Sequence, residues 1–327
     1  MTELVLSEII FNSPVFSLEA ALQIYQVQRQ QNQLYAEWCQ RQKCNISAPV
    51  DLCQIPFLPI SFFKSHQVTC TPLIDPQFVF ESSGTTGMTT SRHLVNDIHL
   101  YEKSCSLGFR RVYGSPSDWC ILSLLPSYLE RGSSSLVYMA RHLSVESGHA
   151  LNGSFLYNFK DLNDMLTKLE QAGQKTILLG VSFALLDFAA AFGRPLQHTT
   201  IMETGGMKGR KKEIVRAELH DLLKKAFKVP QIHSEYGMTE LLSQAYAVSD
   251  GKFSCPPWMK VMVRDEDDPT VVSSSGRGLL NIVDLANIHS CSFIATDDVG
   301  IVYEDSSFEV LGRADNSDIR GCSLLAV

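Results

Sequence analysis

Two short stretches concentrate the groups that phosphate chemistry uses. The first, Ser82-Ser83-Gly84-Thr85-Thr86-Gly87, mixes hydroxyls with glycines. Glycines let a backbone come close to an oxyanion, amide N–H groups can then point inward, and hydroxyls add donors, so such a loop can wrap a phosphate. On composition alone it also fits a structural turn. It contains no Gly-x-x-x-x-Gly-Lys-Ser/Thr pattern, which speaks against a P-loop kinase or ATPase. The second stretch, Glu235-Tyr236-Gly237-Met238-Thr239-Glu240, sets an aromatic ring, a glycine turn, a hydroxyl and a carboxylate side by side. A ring can stack on a base, Thr239 can bond a phosphate oxygen, and Glu240 can hold Mg²⁺, which takes carboxylate and phosphate oxygens. Further on, Asp297 and Asp298 close an apolar run with carboxylates that can bond ribose hydroxyls, and Arg313 follows the last such run.

These groups need elements to carry them. Phe78-Val79-Phe80 reads as a strand entering the Ser/Thr/Gly loop, and the segment from Ser91 to Arg111 reads as a helix leaving it. On that reading His93 and His99 ride the helix as surface or core residues. Ser17 to Gln42 reads as one helix, N-capped by Ser17, with the glutamine-rich centre as its wet face. Trp119 to Ser127 contains a buried strand. Asp161 to Gly173 is expected to be a helix capped by Asp161, and Lys175 to Gly180 a strand. Lys211 to Pro230 is patterned as an amphipathic helix with Ile214, Leu219, Leu222, Leu223 and Phe227 inward. From about residue 251 short strands follow one another: Gly278 to Asp284, Ser292 to Asp298, Gly300 to Asp305 and Ser307 to Gly312. Helices alternating with buried strands, then a strand-rich end, predict an α/β core with a β-rich subdomain.

Composition sets the outer limits. The chain has 327 residues, of which 45% are hydrophobic and 19% charged, so it can bury a large core. A net charge of −7 argues against nucleic acid as the main partner. No stretch is long and apolar enough for a membrane span, and the first residues lack the basic start of a secretory signal. Nine cysteines without Cys-x-x-Cys pairs predict reduced thiols and a cytoplasmic location.

Four motifs in order, Ser-Ser-Gly-Thr-Thr-Gly, Tyr-Gly-Met-Thr-Glu, Thr-Asp-Asp-Val-Gly and Gly-Arg-Ala-Asp, span residues 82 to 315. In this order they resemble the adenylate-forming superfamily, and most closely its LuxE-type acyl-protein synthetases. Thr204-Gly205-Gly206-Met207-Lys208-Gly209 is similar to the superfamily's Gly-rich turn beside the acyl and adenine pockets, and Gly180 to Leu186 to its preceding strand-to-helix turn.

The resemblance implies the large N-terminal domain of the adenylate-forming fold over residues 1–312, without the small C-terminal domain, and a C-terminal arm over 313–327. It implies an ATP-dependent, AMP-forming ligase that activates a carboxylic, fatty acid and transfers the acyl group to a thiol. Ser82, Ser83, Gly84, Thr85, Thr86 and Gly87 would hold the triphosphate, Gly205, Gly206 and Gly237 would shape the adenine side, and Tyr236 would take adenine. Thr239 would contact the α-phosphate, Glu240 the Mg²⁺, Asp298 the ribose, and Arg313 ribose or phosphate. Cys322 matches the family's acyl-accepting cysteine near the C-terminus, although a small apolar residue in a terminal strand is an equal reading; Cys291 is the weaker candidate. Coenzyme A and an acyl-carrier or acyl-transfer protein remain alternative acceptors. A truncated acyl-CoA ligase and a non-catalytic acyl- or nucleotide-binding partner remain alternative functions.

Overall fold

A computed structural model describes residues 3–42, 48–70, 76–82, 90–126, 133–205 and 214–314. In chain order the elements are α1 (Glu3–Asn12), α2 (Leu18–Gln31), α3 (Gln33–Arg41), β1 (Leu58–Pro59), α4 (Phe62–Ser65), β2 (Phe78–Glu81) and β3 (Arg92–Val95). There follow α5 (Ile98–Tyr113), β4 (Cys120–Leu124), α6 (Ser135–Ser147), β5 (Gly153–Phe155), α7 (Phe159–Gln171), β6 (Thr176–Val181), α8 (Ser182–Phe192) and β7 (Thr199–Thr204). The chain continues with α9 (Arg216–Phe227), β8 (His233–Tyr236), β9 (Ala245–Ala247), β10 (Met259–Arg264), β11 (Val272–Ser273), β12 (Gly276–Asp284), β13 (Phe293–Val302) and β14 (Phe308–Arg313).

One sheet has the order β5-β4-β6-β7-β8-β9, parallel throughout except for β9. Strands β4 and β6 are buried along their whole length, as expected where helices cover both faces of a parallel sheet. Helix α7 shows how the sequence makes such cover: Leu162, Leu166 and Leu169 form one buried stripe. The second sheet runs β1-β13-β12-β10-β11, with β14 on the other half of β13. Strands β2 and β3 form a separate antiparallel hairpin. No helix among the described residues is long and apolar enough to cross a membrane.

Several local expectations give way to tertiary contacts. The segment after the Ser/Thr/Gly loop starts as strand β3, and helix begins only at Ile98, where Asp97 caps the His99 amide at 2.9 Å. The loop therefore joins two strands, and no helix N-terminus follows it directly. The helix begun at Ser17 breaks at Asn32, whose side chain caps Tyr35 N at 2.9 Å and donates to Ser290 O at 3.0 Å. The glutamine-rich centre is not all wet: Gln28 is fully buried and donates to Asn287 O and Ile288 O. Helix α7 starts two residues before Asp161, which receives a bond from Asn158 and caps nothing. Leu222 on α9 points outward. The two short strands expected around Asp298 are one ten-residue strand with a bulge at Val299/Gly300.

Adjacent strands β7 and β8 carry two buried acids with opposite fates. Burial pushes Glu203 up, but His220 and Arg216 outweigh it and hold its carboxyl below the usual range; Arg216 Nε lies 2.9 Å away and His220 Nε2 3.5 Å. Glu235 accepts from the Thr204 hydroxyl and has no cation beside it among the described residues, and burial pushes it up to about 7.

Two predictions follow from this packing. A Cβ on Gly300 would lie 2.3 Å from Glu309 O and 2.8 Å from Leu280 Cδ2, whereas one on Gly312 meets nothing within 4 Å. Gly300→Val should therefore cost about 3 kcal/mol in denaturant unfolding, and Gly312→Ala less than about 0.5 kcal/mol. For Glu235 the folded carboxyl keeps its proton to about 7 against an ordinary 4.5, so its contribution is complete at low pH and is lost as pH rises. Glu235→Gln should thus leave stability unchanged at pH 4 and raise it relative to wild type above pH 8, by up to about 3 kcal/mol, in thermal or urea melts at both pH values.

Candidate active site

The base of the Ser/Thr/Gly loop is the open end of the β2–β3 hairpin. Phe80 pairs with His93 and Glu81 with Arg92. The ladder runs one step further, with Ser82 N donating to Ser91 O at 3.0 Å and Ser91 N donating to Ser82 Oγ at 2.9 Å. Ser82 thus closes the loop with its side chain, and Glu81 N anchors it to Ser133 O at 2.9 Å. Ser83, Gly84, Thr85, Thr86 and Gly87 lie outside the described residues, so their contacts stay an expectation of the sequence.

Strand β8 ends at Tyr236 and delivers the chain into the turn with Thr239 and Glu240. Gly237 leaves room there for the Glu235 carboxyl: a Cβ would fall 2.5 Å from Glu235 Oε1, so a larger residue would have to displace that side chain. The turn is tied from three sides. His93 Nδ1 donates to Thr239 O at 2.9 Å, and Asn287 Nδ2 donates to Glu240 O at 2.9 Å. Just beyond, Leu242 N, Ser243 N and Ser243 Oγ all donate to the Asp284 carboxyl, which also takes Ala286 N. Burial still pushes Asp284 up to about 6 against these donors.

The Glu240 side chain is buried, and burial pushes its pKa up; the Ser91 side chain hydrogen-bonded to it and the nearby charges of Arg313 and Lys64 oppose this. Among the described residues no three His, Cys, Asp or Glu side chains are arranged to hold a metal. A buried carboxyl without an ion-pair partner among the described residues fits Mg²⁺ of the kind that takes one or two carboxylates and completes its shell with phosphate oxygens and water.

Beside the turn, β13 and β14 put Asp298 directly opposite Arg313. Arg313 Nε donates to Asp298 Oδ1 at 3.1 Å, and Tyr236 OH donates to Asp298 Oδ2 at 2.9 Å. The Tyr236 ring packs against Phe253 and Phe308, with centroids 5.7 and 5.4 Å away, and is 7% exposed. Its hydroxyl is committed to the carboxylate, and only a small part of the ring is open to a ligand. Gly205, at φ +69° after β7, accepts from Ser182 Oγ at 2.7 Å, which joins the strand-to-helix turn at Val181–Ser182 to the Gly-rich turn. Gly206 lies outside the described residues.

Ser82, Tyr236, Gly237, Thr239, Glu240, Asp298 and Arg313 thus sit on connected turns and strand ends. Cys322 lies outside the described residues. Cys291 is fully buried and its thiol is pushed well above the ordinary range by burial, which leaves it a packing residue that donates weakly to Phe293 O. Sequence reasoning missed Ser91, Lys64 and Asn287, and took His93 for a helix residue. One signal was present: Asp284, Asn287, Ser290 and Ser292 crowd polar groups into a short connection between two apolar strands, and all four are buried.

Comparison with known proteins bears on the family and the fold. The family described as "Acyl-protein synthetase, LuxE" matches residues 8–326. The long-chain-fatty-acid–luciferin-component ligase of Vibrio harveyi is 23% identical over 92% of this chain and 84% of its own length. Its counterpart from Aliivibrio fischeri is 22% identical over 90% of this chain and 83% of its own length. Among solved structures, the ATP-bound RpMatB-BxBclM chimera B3 aligns with a TM-score of 0.53 at 16% identity over 72% of this chain. MenE of Bacillus subtilis, an O-succinylbenzoate coenzyme A synthetase in complex with AMP, aligns with a TM-score of 0.51 at 15% identity over 75% of this chain. The chain spans 47% of the length of the chimera and 63% of that of MenE. These structures show the fold to be that of the adenylate-forming enzymes. With all but its first seven residues and its last one matched, this chain belongs to the LuxE acyl-protein synthetase family.

Proposed function

We propose that the protein activates a long-chain fatty acid with ATP, forming an acyl-adenylate and pyrophosphate, and then transfers the acyl group to a thiol. The carrying observation is the meeting of the loop base, the Thr239–Glu240 turn and the Asp298–Arg313 pair in a LuxE-family chain. The acid carboxylate attacks the α-phosphorus and pyrophosphate leaves. The mixed anhydride so formed is then attacked by a thiolate, which releases AMP. The protein's work is to align this attack and to balance phosphate charge.

In this reading residues 82–87 wrap the triphosphate, with Gly205, Gly206 and Gly237 lining the adenine side next to Tyr236. Asp298, held by Tyr236 and Arg313, presents its carboxylate to the ribose hydroxyls, and Arg313, whose Nε is bonded to Asp298, offers its remaining N–H groups to ribose or phosphate. Thr239 offers its hydroxyl to the α-phosphate. Glu240 would hold Mg²⁺, which supplies neutralising charge to the phosphate oxygens. That assignment agrees with a carboxyl whose burial is not offset by an ion pair.

Cys322 is the proposed acyl acceptor, carried on an arm formed by residues 313–327. The start of that arm is fastened beside the ribose carboxylate, since Ala314 N donates to Asp297 O at 2.8 Å. From Ala314 to Cys322 eight residue steps reach at most about 29 Å, enough to fold back over a cleft.

ATP–pyrophosphate exchange across a panel of carboxylic acids tests the reading, with the fastest exchange expected for long-chain fatty acids. Glu240→Gln should lower exchange by about 100-fold or more while the melting temperature stays at or above that of wild type, because it removes a buried charge and not a core contact. Normal exchange in the folded variant would remove Glu240 from the role. Cys322→Ser should keep exchange but lose covalent, hydroxylamine-sensitive labelling by radioactive fatty acid plus ATP. If wild type exchanges but takes no label, the acceptor is coenzyme A or a partner protein's thiol.

A further inference from the structure

We infer that His93 and Asn287 form a bridge that sets the Thr239–Glu240 turn against the Ser82–Ser91 loop base, which makes His93 a positioning residue for the nucleotide reaction. The inference deepens the adenylation reading and rests on it.

His93 lies two residues after Ser91, on the strand that leaves the loop. Its two ring nitrogens are spent on distant parts of the chain: Nδ1 on Thr239 O at 2.9 Å, and Nε2 on Asn287 Oδ1 at 3.0 Å. Asn287 carries the contact on, with Nδ2 donating to Glu240 O at 2.9 Å. The bridge therefore grips the carbonyls of two consecutive residues, Thr239 and Glu240, whose side chains the functional reading assigns to phosphate and metal. Both ends are braced. The Phe63 ring meets the imidazole edge-on, with centroids 5.5 Å apart, and the segment before it is pinned by Ile60 N donating to Ala295 O at 2.9 Å. Asn287 sits in the β12–β13 connection, where its own carbonyl is held by Gln28 Nε2 at 2.9 Å.

The proton count of this bridge is specific. Three contacts join His93 Nδ1 to Thr239 O, His93 Nε2 to the Asn287 amide, and that amide to Glu240 O. A neutral imidazole and one carboxamide bring two N–H groups to them, one fewer than the contacts. Turning the amide round moves the deficit and does not remove it. The ring meets no charged side chain among these partners, and burial holds it neutral down to about 4. A carboxamide at position 93 can supply a donor and an acceptor as the neutral ring does, whereas an apolar side chain offers neither and takes the His93 donor away from Thr239 O in the interior. At position 93 the bridge thus needs at least a donor for Thr239 O, a requirement that packing alone does not impose.

The test compares His93→Leu, His93→Gln, Asn287→Ala and the double variant His93→Leu/Asn287→Ala in full-length protein. Three readouts are used: ATP–pyrophosphate exchange with the acid that serves wild type best, KM for ATP and for that acid, and hydrogen exchange of the amides of residues 237–243. His93→Leu and Asn287→Ala should each lower kcat by about 100-fold, the scale of a displaced reacting group, with KM for the acid unchanged. His93→Gln should recover most of that loss, and the double variant should be no worse than the worse single one, because both break one bridge. Amides 237–243 should lose protection in His93→Leu and keep it in His93→Gln. Equal losses in His93→Gln and His93→Leu, or losses that multiply in the double variant, would overturn the inference. Should His93→Leu fail to fold, His93→Gln and Asn287→Ala still decide it: wild-type kcat in Asn287→Ala, or full loss in His93→Gln, overturns it. If folded wild type shows no exchange with any acid, the functional reading falls and the positioning role with it; the bridge itself is then judged on hydrogen exchange alone, where unchanged protection of 237–243 overturns it.

Discussion

The candidate site depends on one constraint: the short connection between β12 and β13 buries its polar groups, and each must find a partner inside the protein. Asp284 accepts from Leu242 N, Ser243 N, Ser243 Oγ and Ala286 N. Asn287 holds Glu240 O, and Ser290 donates to Val68 O at 2.8 Å. A buried polar group without a bond costs about 1–3 kcal/mol, so these partners are obligatory rather than incidental. The connection is thereby a socket into which the Glu240 turn, helix α2 and the β2–β3 hairpin all plug. The two large sheets meet where these bonds run, and the site lies at that seam.

The buried acids divide by what the fold provides for them. Glu203 receives Arg216 and His220 and is held ionised. Asp284 receives four donors, Asp298 a tyrosine hydroxyl and an arginine. Glu240 is given the Ser91 side chain and only more distant positive charge, and burial raises its pKa. A carboxyl left under-compensated in the interior is costly unless a bound cation completes it. Glu235 shares that imbalance, so the burial of Glu240 agrees with a bound cation but does not by itself single it out.

Asp298, the residue assigned to ribose in the proposed function, is also a structural junction. The β13–β14 register sets Arg313 opposite it, and the bulge at Val299/Gly300 re-aims the strand just beyond. Tyr236 reaches the same carboxylate from the other sheet. The pair of sheets is therefore joined through the group assigned to ribose. A ligand there would meet a carboxylate already oriented, at little further ordering cost.

Much was legible in the residues themselves. The four ordered motifs pointed to the family, and hydrophobic periodicity marked α7, β6 and the strand-rich end, because these depend on local spacing and on faces that any packing must cover. The chemical types at Tyr236, Thr239, Glu240, Asp298 and Arg313 also stand in the chain without help. What tertiary structure alone decided were the choices with long-range partners. Arg92 to Val95 is compatible with a helix start, and pairing with Phe78 to Glu81 made it a strand. Gln28 sits in a polar run, yet its partners 259 and 260 residues away drew it inside. His93 carries no local sign of its role, because the carbonyl and amide it holds are 146 and 194 residues distant. Local propensity is worth a few tenths of a kcal/mol per residue, and a buried donor or acceptor left unpaired costs several times more, so the distant partner prevails.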